Sequence, residues 1–383
     1  MKMILRLLCI LTLLFTIPLA AAERVLLVVG NGANAQLGFD LGELAQAYDI
    51  FERNGFAVDI ASPAGGKAHP KEYDDDVPYT AAFLADRAAM ERLDRTLNIA
   101  EIDVARYAAM FLIGGSSAMH DFPLHGALQQ QIAHLYERGG VIGAVCHGPA
   151  ALLHVKLSDG RYLIDGKRIS AFTEEEENVF GGEVAARYPF VLEQALRGRN
   201  ETFEKAPMML VQAVRDGRLV TGQNPFSTPR AAEETIRALG RTPKPRQPYR
   251  DEATVLLIAG LLRDDTAPAA RAAFARAPGD YDPRLVAMYG ARLLGTASDD
   301  AGIRGAVTLL ELGGRHFAHP KVRLSLARAY LRLGERQQAR DLLRAAATEF
   351  PADTAIATLL AELDEKHDHD VPEAAHPADR RRE

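Results

Sequence analysis

The sequence predicts an α/β domain built on a doubly wound, mostly parallel sheet, followed by a C-terminal domain made only of helices. Short apolar runs typical of buried strands alternate with helical periods over residues 24–241, and Gly-rich loops follow the strand runs. Beyond residue 250 the strand pattern stops, and the composition turns to Ala, Leu and Arg with helical periods alone. A chain of 383 residues is long enough for two domains of this kind.

Residues 1–22 carry the pattern of a secretory signal peptide. Lys2 and Arg6 form a charged start, residues 7–19 an apolar centre, and three alanines a small-residue exit. We expect cleavage after this segment and a periplasmic mature protein, because the apolar centre is short for a membrane span. An uncleaved membrane anchor is the alternative.

Removal of the signal would leave Cys146 as the single thiol of the mature chain, because Cys9 lies within the signal. An internal disulfide is then excluded even in an oxidising compartment. The formal net charge of −6, without a basic patch, argues against nucleic-acid binding. We predict no metal, no cofactor and no membrane association of the mature chain.

The elements of the first domain alternate in the order expected for a doubly wound sheet. Apolar runs predict strands at residues 24–30, 56–62, 107–113, 141–145 and 219–221. Helical periods predict helices at residues 41–54, 79–97, 129–138 and 229–239. A small β excursion is predicted between the last two strands, at residues 161–171.

The segment VIGAVCHGPAALL, residues 141–153, has the pattern of a nucleophile elbow. A buried strand is followed by Cys146, then by Gly148 two positions later, and then by an apolar helical pattern. This turn would raise the Cys side chain at the carboxyl end of the strand and point its sulfur at a helix N-terminus, which favours the thiolate. The alternative is a buried structural cysteine that starts a helix.

The C-terminal part is predicted as a linker, a helical domain and a tail. Residues 242–250 contain three prolines and no apolar run, which indicates a linker before a helical domain at residues 251–366. Residues 320–351 fit a tetratricopeptide unit, with Gly334 at its turn, and two looser helix pairs precede it at residues 253–277 and 285–317. Its apolar positions are Leu326, Ala327, Tyr330, Ala339, Leu343 and Ala346.

Such units are expected to stack into a short α-solenoid, because one repeat cannot bury its apolar face alone. A generic helical cap packed on the first domain is the alternative. The tail, residues 367–383, is polar and is predicted to be disordered, and its three histidines are interpreted as part of a solvated tail.

The first domain resembles the ThiJ/PfpI family of the class I glutamine amidotransferase-like superfamily, and most of all its glyoxalase III and Hsp31-like branch. The resemblance is carried by five stretches: LGFDLGELAQAYDIFERNGFAVDIASPAGG, FLIGGSSAMHDFP, AVCHGPAALL, ISAFTEEEE and LVTGQNPFSTPRAAEE. It implies a flavodoxin-like fold with a nucleophile elbow over residues 24–241, and a homodimer. The helical C-terminal domain is not a usual part of that family.

The resemblance implies that Cys146 is the nucleophile and that His147 is its triad partner. The backbone amide of His147 is also a candidate donor to an oxyanion. The alternative for His147 is a hydrogen-bonding residue at the start of a helix.

Two glutamates are implied as further catalytic residues. Glu43 matches the family residue that hydrogen-bonds the nucleophilic sulfur and carries a proton; a solvated acid in the first turn of a helix is its alternative. Glu174 matches the acid that orients the triad His. Its alternative is an ordinary first-turn residue beside a capping box of Thr173 and Glu176.

The sequence departs from the family branch after its Gly pair. The branch commonly continues with His-Gly, whereas this chain has Ser116 and Ser117. Gly115 can still offer an amide to an oxyanion, and Ser116 joins it as a candidate substrate contact. Ser117 in place of Gly narrows backbone freedom near the substrate, so the change bears on substrate preference and on activity itself.

The leading functional hypothesis is a glyoxalase III-like (D-lactate dehydratase type) conversion of methylglyoxal to lactate without glutathione, through a Cys146 hemithioacetal. The first alternative is a Cys-dependent peptidase, amidase or deglycase. The second is a catalytically silent chaperone or scaffold that binds a protein partner through its helical repeats. Glutamine amidotransfer is disfavoured, because no late His-x-Glu pair follows the Cys.

Overall fold

A computed structural model describes residues 23–264 and 267–368. The predicted signal peptide and residues 369–383 of the predicted tail lie outside the described residues. The first two tail residues belong to the last helix, which ends at Asp368, so this part of the disorder prediction is wrong.

The first domain contains a seven-stranded sheet in the order β3-β2-β1-β4-β5-β9-β8 and a separate pair, β6 and β7. Neighbouring strands of the large sheet are parallel except β8, which runs antiparallel to β9. The mostly parallel sheet predicted from the sequence is confirmed. The strands are β1 (Arg24–Val28), β2 (Ala57–Ser62), β3 (Leu97–Asn98), β4 (Ala109–Leu112), β5 (Val141–Val145), β6 (Arg168–Ile169), β7 (Thr202–Phe203), β8 (Ala213–Asp216) and β9 (Leu219–Gly222).

Nine α-helices accompany these strands in the described part of the first domain. They are α1 (Leu41–Arg53), α2 (Pro78–Ala85), α3 (Arg87–Asp94), α4 (Ser116–Asp121), α5 (Gly126–Glu137), α6 (Glu174–Phe180), α7 (Gly182–Ala185), α8 (Leu192–Arg197) and α9 (Thr228–Ala238). The single helix predicted at residues 79–97 is in fact two, because the Asp86 side chain accepts hydrogen bonds from the amides of Ala88 and Ala89 and begins α3. The excursion predicted at residues 161–171 is reduced to the two residues of β6.

The order of the strands positions the site. Every residue of β4 and β5 is buried, as expected for central parallel strands covered on both faces. The direction of strand addition reverses between β1 and β4, and parallel sheets bind ligands at the carboxyl ends of the strands beside such a reversal. The loops after β1, β4 and β5 all open at this edge.

Over its described residues the second domain contains seven α-helices: α10 (Arg250–Asp264), α11 (Ala267–Arg276), α12 (Pro283–Thr296), α13 (Asp300–Gly314), α14 (Pro320–Arg332), α15 (Arg336–Glu349) and α16 (Thr354–Asp368). Three apolar clusters join successive helix pairs, as expected for a stack of repeats. Gly334 has a positive φ of 78° at the turn between α14 and α15, where the sequence predicts it. Within the described ranges no helix is both long and apolar enough to cross a bilayer.

The predicted linker between α9 and α10 is held against both domains by polar side chains. Arg246 pairs with Glu233 of α9 and with Glu252 of α10. The Tyr249 hydroxyl donates to Asp49 of α1 over 2.6 Å. This segment is therefore a fixed connection rather than a free tether.

Candidate active site

Cys146 occupies the tight turn that follows β5. Its backbone φ of 58° lies in the left-handed region. This conformation is unusual for a residue other than glycine and is typical of a nucleophile elbow. Gly148 is required here, because a Cβ at that position would overlap the carbonyl oxygen of Leu112. Cys146 is 3% exposed and borders a cavity of about 770 Å³ at the carboxyl edge of the sheet.

The segment after the elbow differs from the prediction. Gly148–Leu152 forms a 3-10 helix of five residues rather than an α-helix. A helix this short adds little dipole stabilisation at the sulfur. The thiolate therefore depends on neighbouring side chains.

His147 links the cysteine to an acid. Its Nδ1 lies 3.4 Å from Cys146 Sγ, and its Nε2 lies 2.8 Å from an oxygen of Glu177. The rings of Phe172 and Tyr188 flank the imidazole, with centroids 4.6 and 5.5 Å away. His147 is 6% exposed, so its orientation is set by packing as well as by these two polar contacts.

The acid that orients His147 is Glu177, and the assignment of this role to Glu174 is wrong. Glu174 is the first residue of α6, and its carboxylate accepts from Gln194 over 2.9 Å, away from the imidazole. The capping box of Thr173 and Glu176, predicted as the alternative reason for this charged segment, is present. Glu177 lies three residues beyond Glu174, on the same face of the helix and one turn closer to the site.

Glu43 lies on the other side of the sulfur, in the first turn of α1. It is 1% exposed, which rules out the solvated first-turn acid. Its Oε2 accepts from the amide of Gly114 over 2.7 Å, and its Oε1 has no partner in the described part of the chain. Gly114 permits this approach, because a Cβ there would lie 2.8 Å from Cys146 Cβ and 2.9 Å from Glu43 Oε2.

The protonation of this pair follows from its burial. Burial raises the pKa of Glu43 well above its ordinary value, and the nearby Asp40 charge acts in the same direction. Burial also raises the pKa of the Cys146 thiol, although Lys71 opposes this. The resting site therefore holds a protonated carboxyl beside a thiol, and the thiolate expected from the sequence needs a base to form.

Asp40 and Lys71 are site residues that the sequence did not indicate. Lys71 Nζ lies 2.7 Å from Asp40 Oδ2, and Lys71 borders the cavity. Burial alone would raise the pKa of Asp40, but the Lys71 ammonium and amide donors hold it below its ordinary value. Asp40 also caps α1 by accepting from the amide of Glu43 over 3.0 Å. The Asp in front of the helix was a usable signal, whereas Lys71 lies in a loop without a motif.

The two serines after the Gly pair have different positions. Ser116 and Tyr188 both line the cavity. Burial raises the pKa of Tyr188 to about 12, although the nearby Ser116 opposes this, so the phenol is protonated at neutral pH. Ser117 does not line the cavity: it is fully buried in the first turn of α4, and its amide donates to Gly38. The Ser117 side chain is therefore not placed to contact a substrate in this cavity.

The side chain of Glu176 connects three segments near the cavity through hydrogen bonds. Glu176 is fully buried, and its Oε1 accepts from the Gln223 and Asn224 side chains and from the Met209 amide, at 2.7 to 2.9 Å. Its Oε2 accepts from Thr173. Glu176 thus ties α6, which carries Glu177, to the loop after β9 and to the loop before β8.

Within the described ranges, the one group of three carboxyl, thiol or imidazole side chains close enough to share a metal ion is Asp74, Asp75 and Asp76. All three are exposed and do not line the cavity beside Cys146. Clusters of exposed acids are common on protein surfaces, and we assign this one no metal.

The fold and site define a class of α/β proteins with a cysteine on a nucleophile elbow, flanked by a histidine and a buried glutamate. Residues 23–238 match the DJ-1/PfpI family, and the chain belongs to that family. Residues 314–363 match the tetratricopeptide repeat, which confirms the repeat predicted at residues 320–351.

Similar proteins include the glutathione-independent glyoxalase hsp3101 of Schizosaccharomyces pombe, 31% identical in an alignment of 247 residues that covers 57% of this chain and 97% of that protein. A solved structure of glyoxalase III from Candida albicans shares 25% identity and a TM-score of 0.50, covering 56% of this chain and 97% of that chain. The Rapid Encystment Protein 24 kDa of Francisella tularensis shares 27% identity and a TM-score of 0.53, covering 57% and 99%. These three likenesses cover little more than half of this chain.

Proposed function

We propose that this protein is a glutathione-independent glyoxalase that converts methylglyoxal to lactate through a hemithioacetal on Cys146. The observation that carries the proposal is the placement of one buried thiol between a buried carboxyl and a histidine paired with an acid. The relatives named as glutathione-independent glyoxalases support the same reaction. The signal pattern of residues 1–22 would place this activity in the periplasm.

In the first step, His147 Nδ1 takes the thiol proton and the sulfur adds to the aldehyde carbon. Glu177, bonded to Nε2, stabilises the imidazolium that forms. Glu43 gives its proton to the new alkoxide, which leaves a hydroxyl on the carbon that carries sulfur. Glu43 is then a carboxylate close to the remaining hydrogen on that carbon.

In the second step, Glu43 removes this hydrogen as a proton, and the electron pair forms an enediolate. Amides of Gly115 and His147 would stabilise its oxygen, as donors placed at a developing charge do in related chemistry. Glu43 returns the proton to the neighbouring carbon, and the hydroxyl proton passes to the second oxygen. The product is a lactate thioester, which water cleaves to lactate. The imidazolium returns a proton to the departing sulfur, and a proton of the attacking water passes to Glu43, which restores the protonated carboxyl.

The proposal is tested by replacing the nucleophile. Cys146→Ala should lower methylglyoxal consumption and lactate formation by about 10³-fold or more, since covalent catalysis is lost. Ser170→Ala is a matched control, because the Ser170 hydroxyl is buried and has no hydrogen-bond partner among the described residues; it should keep turnover near the wild-type level. Undiminished turnover in the Cys146→Ala protein would refute the proposal.

A second candidate is an amidase or deglycase that uses the same residues. The series Cys146, His147 and Glu177 favours it, because this geometry also serves acyl transfer. Such an enzyme needs His147 to protonate a leaving amine but does not need Glu43 to move a proton between two carbons. Release of an amine from glycated peptides by a Glu43→Gln variant that has lost methylglyoxal turnover would favour the second candidate.

A protein partner is a separate question. The tetratricopeptide match at residues 314–363 supports binding of a protein through the helical domain. A silent scaffold would bind such a partner and consume no methylglyoxal, whereas the proposed enzyme has turnover in the absence of any partner.

A further inference from the structure

A loop of the first domain, residues 206–212, lies between the catalytic cavity and the helical domain. Met209 lines the cavity and has an unusual positive φ of 59°. The next residue, Leu210, is 6% exposed and packs in the first apolar cluster of the helical domain, with Ile258, Phe274 and Leu309 among its members. Adjacent residues thus belong to the wall of the cavity and to the core of the second domain.

Polar contacts connect this loop to the catalytic histidine. The Met209 amide donates to Glu176 Oε1 over 2.7 Å, and Asn224 Nδ2 donates to both Glu176 and the carbonyl oxygen of Leu210. Glu176 precedes Glu177, which holds His147. A shift of Leu210 would therefore act on the contacts that fix the position of α6.

A second contact between the domains involves the end of α6. Phe180 lines the catalytic cavity, and the Arg292 guanidinium of α12 lies 4.9 Å from the centre of its ring. A small apolar cavity of about 60 Å³ lies beside this contact, with residues of both domains in its wall. It is lined by Phe180, Met208, Met209, Phe226, Leu285, Met288, Tyr289 and Arg292.

The helical domain also contacts the helix that carries Glu43. Asp251, in the first turn of α10, accepts from the Tyr79 hydroxyl over 2.9 Å and from Gln46 Nε2 over 3.4 Å. Gln46 lies one turn after Glu43 on α1. Both sides of the catalytic cysteine are thus supported by helices of the second domain.

We propose that the helical domain is part of the catalytic unit, and that Leu210 is a positioning residue. Its packing among α10–α13 sets the place of Met209 in the cavity wall and of α6 beside His147. The turnover test of this proposal rests on the proposed function. The test by Cys146 alkylation does not, because it needs no substrate. It assigns the second domain a role in catalysis that an appended adaptor would not have.

The test compares two equal truncations in the full-length protein. Leu210→Ala and Leu343→Ala each remove a buried leucine side chain from the helical domain's clusters, but Leu343 lies in the distal cluster. Both should lower the melting temperature. Leu210→Ala should lower kcat for methylglyoxal by about tenfold or more, because the cavity wall loses its anchor. Leu343→Ala should keep wild-type kcat, and Leu210→Met, which retains the volume, should restore most of it.

A second measurement needs no substrate. The rate of Cys146 alkylation by iodoacetamide is followed against pH, and Leu210→Ala should shift this profile whereas Leu343→Ala should not. If the wild type consumes no methylglyoxal, the proposed function fails. The alkylation profile alone then decides whether Leu210 positions the residues around Cys146. If Leu210→Ala does not fold, Leu210→Val is compared with Leu343→Val. Equal behaviour of the two positions in turnover and alkylation would overturn the inference.

Discussion

Two glutamates flank Cys146, and their surroundings differ. Glu43 receives its hydrogen bond from the uncharged amide of Gly114 and has the Asp40 carboxylate nearby. Glu177 is bonded to the imidazole of His147, which can carry a positive charge. Burial and the Asp40 charge raise the pKa of Glu43 and favour its protonated form, although the Gly114 amide favours the carboxylate. A carboxylate bonded to an imidazole stabilises the imidazolium. The two glutamates are therefore suited to different roles: Glu43 to carry a proton, and Glu177 to orient His147.

The largest effect is expected from removing the proton of Glu43. Glu43→Gln keeps the shape of the side chain but cannot exchange a proton, so kcat for methylglyoxal should fall by about 10²–10⁴-fold. Iodoacetamide should still alkylate Cys146, because His147 remains to take the thiol proton. Full methylglyoxal turnover by this variant would remove the difference between the two glutamates.

A smaller loss is expected on the other side. Glu177→Gln leaves His147 without a charged partner, and kcat should fall on the order of 10²-fold through poorer placement of the imidazole. Glu174→Gln is the matched control, with the same change on the same helix, and should stay near the wild-type rate. If the two substitutions have equal effects, Glu177 is not the residue that orients His147.

The sequence predicted the residues that lie within short motifs. Cys146 follows directly from the strand, turn and Gly pattern, whereas the roles of His147 and Glu43 come from the resemblance to the family. The choice between Glu174 and Glu177 could not be made, because both lie on one face of α6, and tertiary packing decides which turn meets the imidazole. Lys71 and Tyr188 lie outside any periodic pattern, and only the folded chain brings them to the cavity.

The fold of the two domains was also predictable from local sequence patterns, whereas the contact between the domains was not. The fold class and the repeat at residues 320–351 follow from apolar periods, which are local. The contact of Leu210 with the helical core could not be predicted, since residues 206–212 have no regular period and their partners lie more than 40 residues further along the chain. The five-residue 3-10 helix after the elbow was missed for a similar reason, since its apolar sequence also suits an α-helix.

The proton held by Glu43 should make the melting temperature of the folded chain depend on pH. The pKa of Glu43 is raised in the folded state, so above its ordinary value of 4.5 the folded chain keeps a proton that the unfolded chain releases. The wild type therefore loses stability as pH rises from there, until the folded-state pKa is passed. Glu43→Gln avoids this loss and should melt higher than the wild type at pH 7, by roughly 2–4 °C per kcal/mol.

This advantage should vanish at pH 4, where Glu43 is largely protonated in both states. Glu91→Gln, an exposed change on α3, should give no such pH-dependent difference. Melting curves of the three proteins from pH 4 to 8 make the comparison. A constant difference between Glu43→Gln and the wild type across this range would contradict a proton held by Glu43.

The smallest effect is expected at Lys71, which acts on the sulfur through charge alone. Lys71 lowers the pKa of Cys146 against the larger effect of burial, and it neutralises Asp40. Lys71→Gln removes a positive charge and leaves Asp40 unpaired, so the pKa of the thiol should rise and alkylation below that pKa should slow by about two- to fivefold. Lys67→Gln is the matched control, because Lys67 is exposed in the same loop and does not line the cavity. Equal alkylation rates in the two variants would show that the Glu43 side of the site controls the thiol without help from the Lys71 charge.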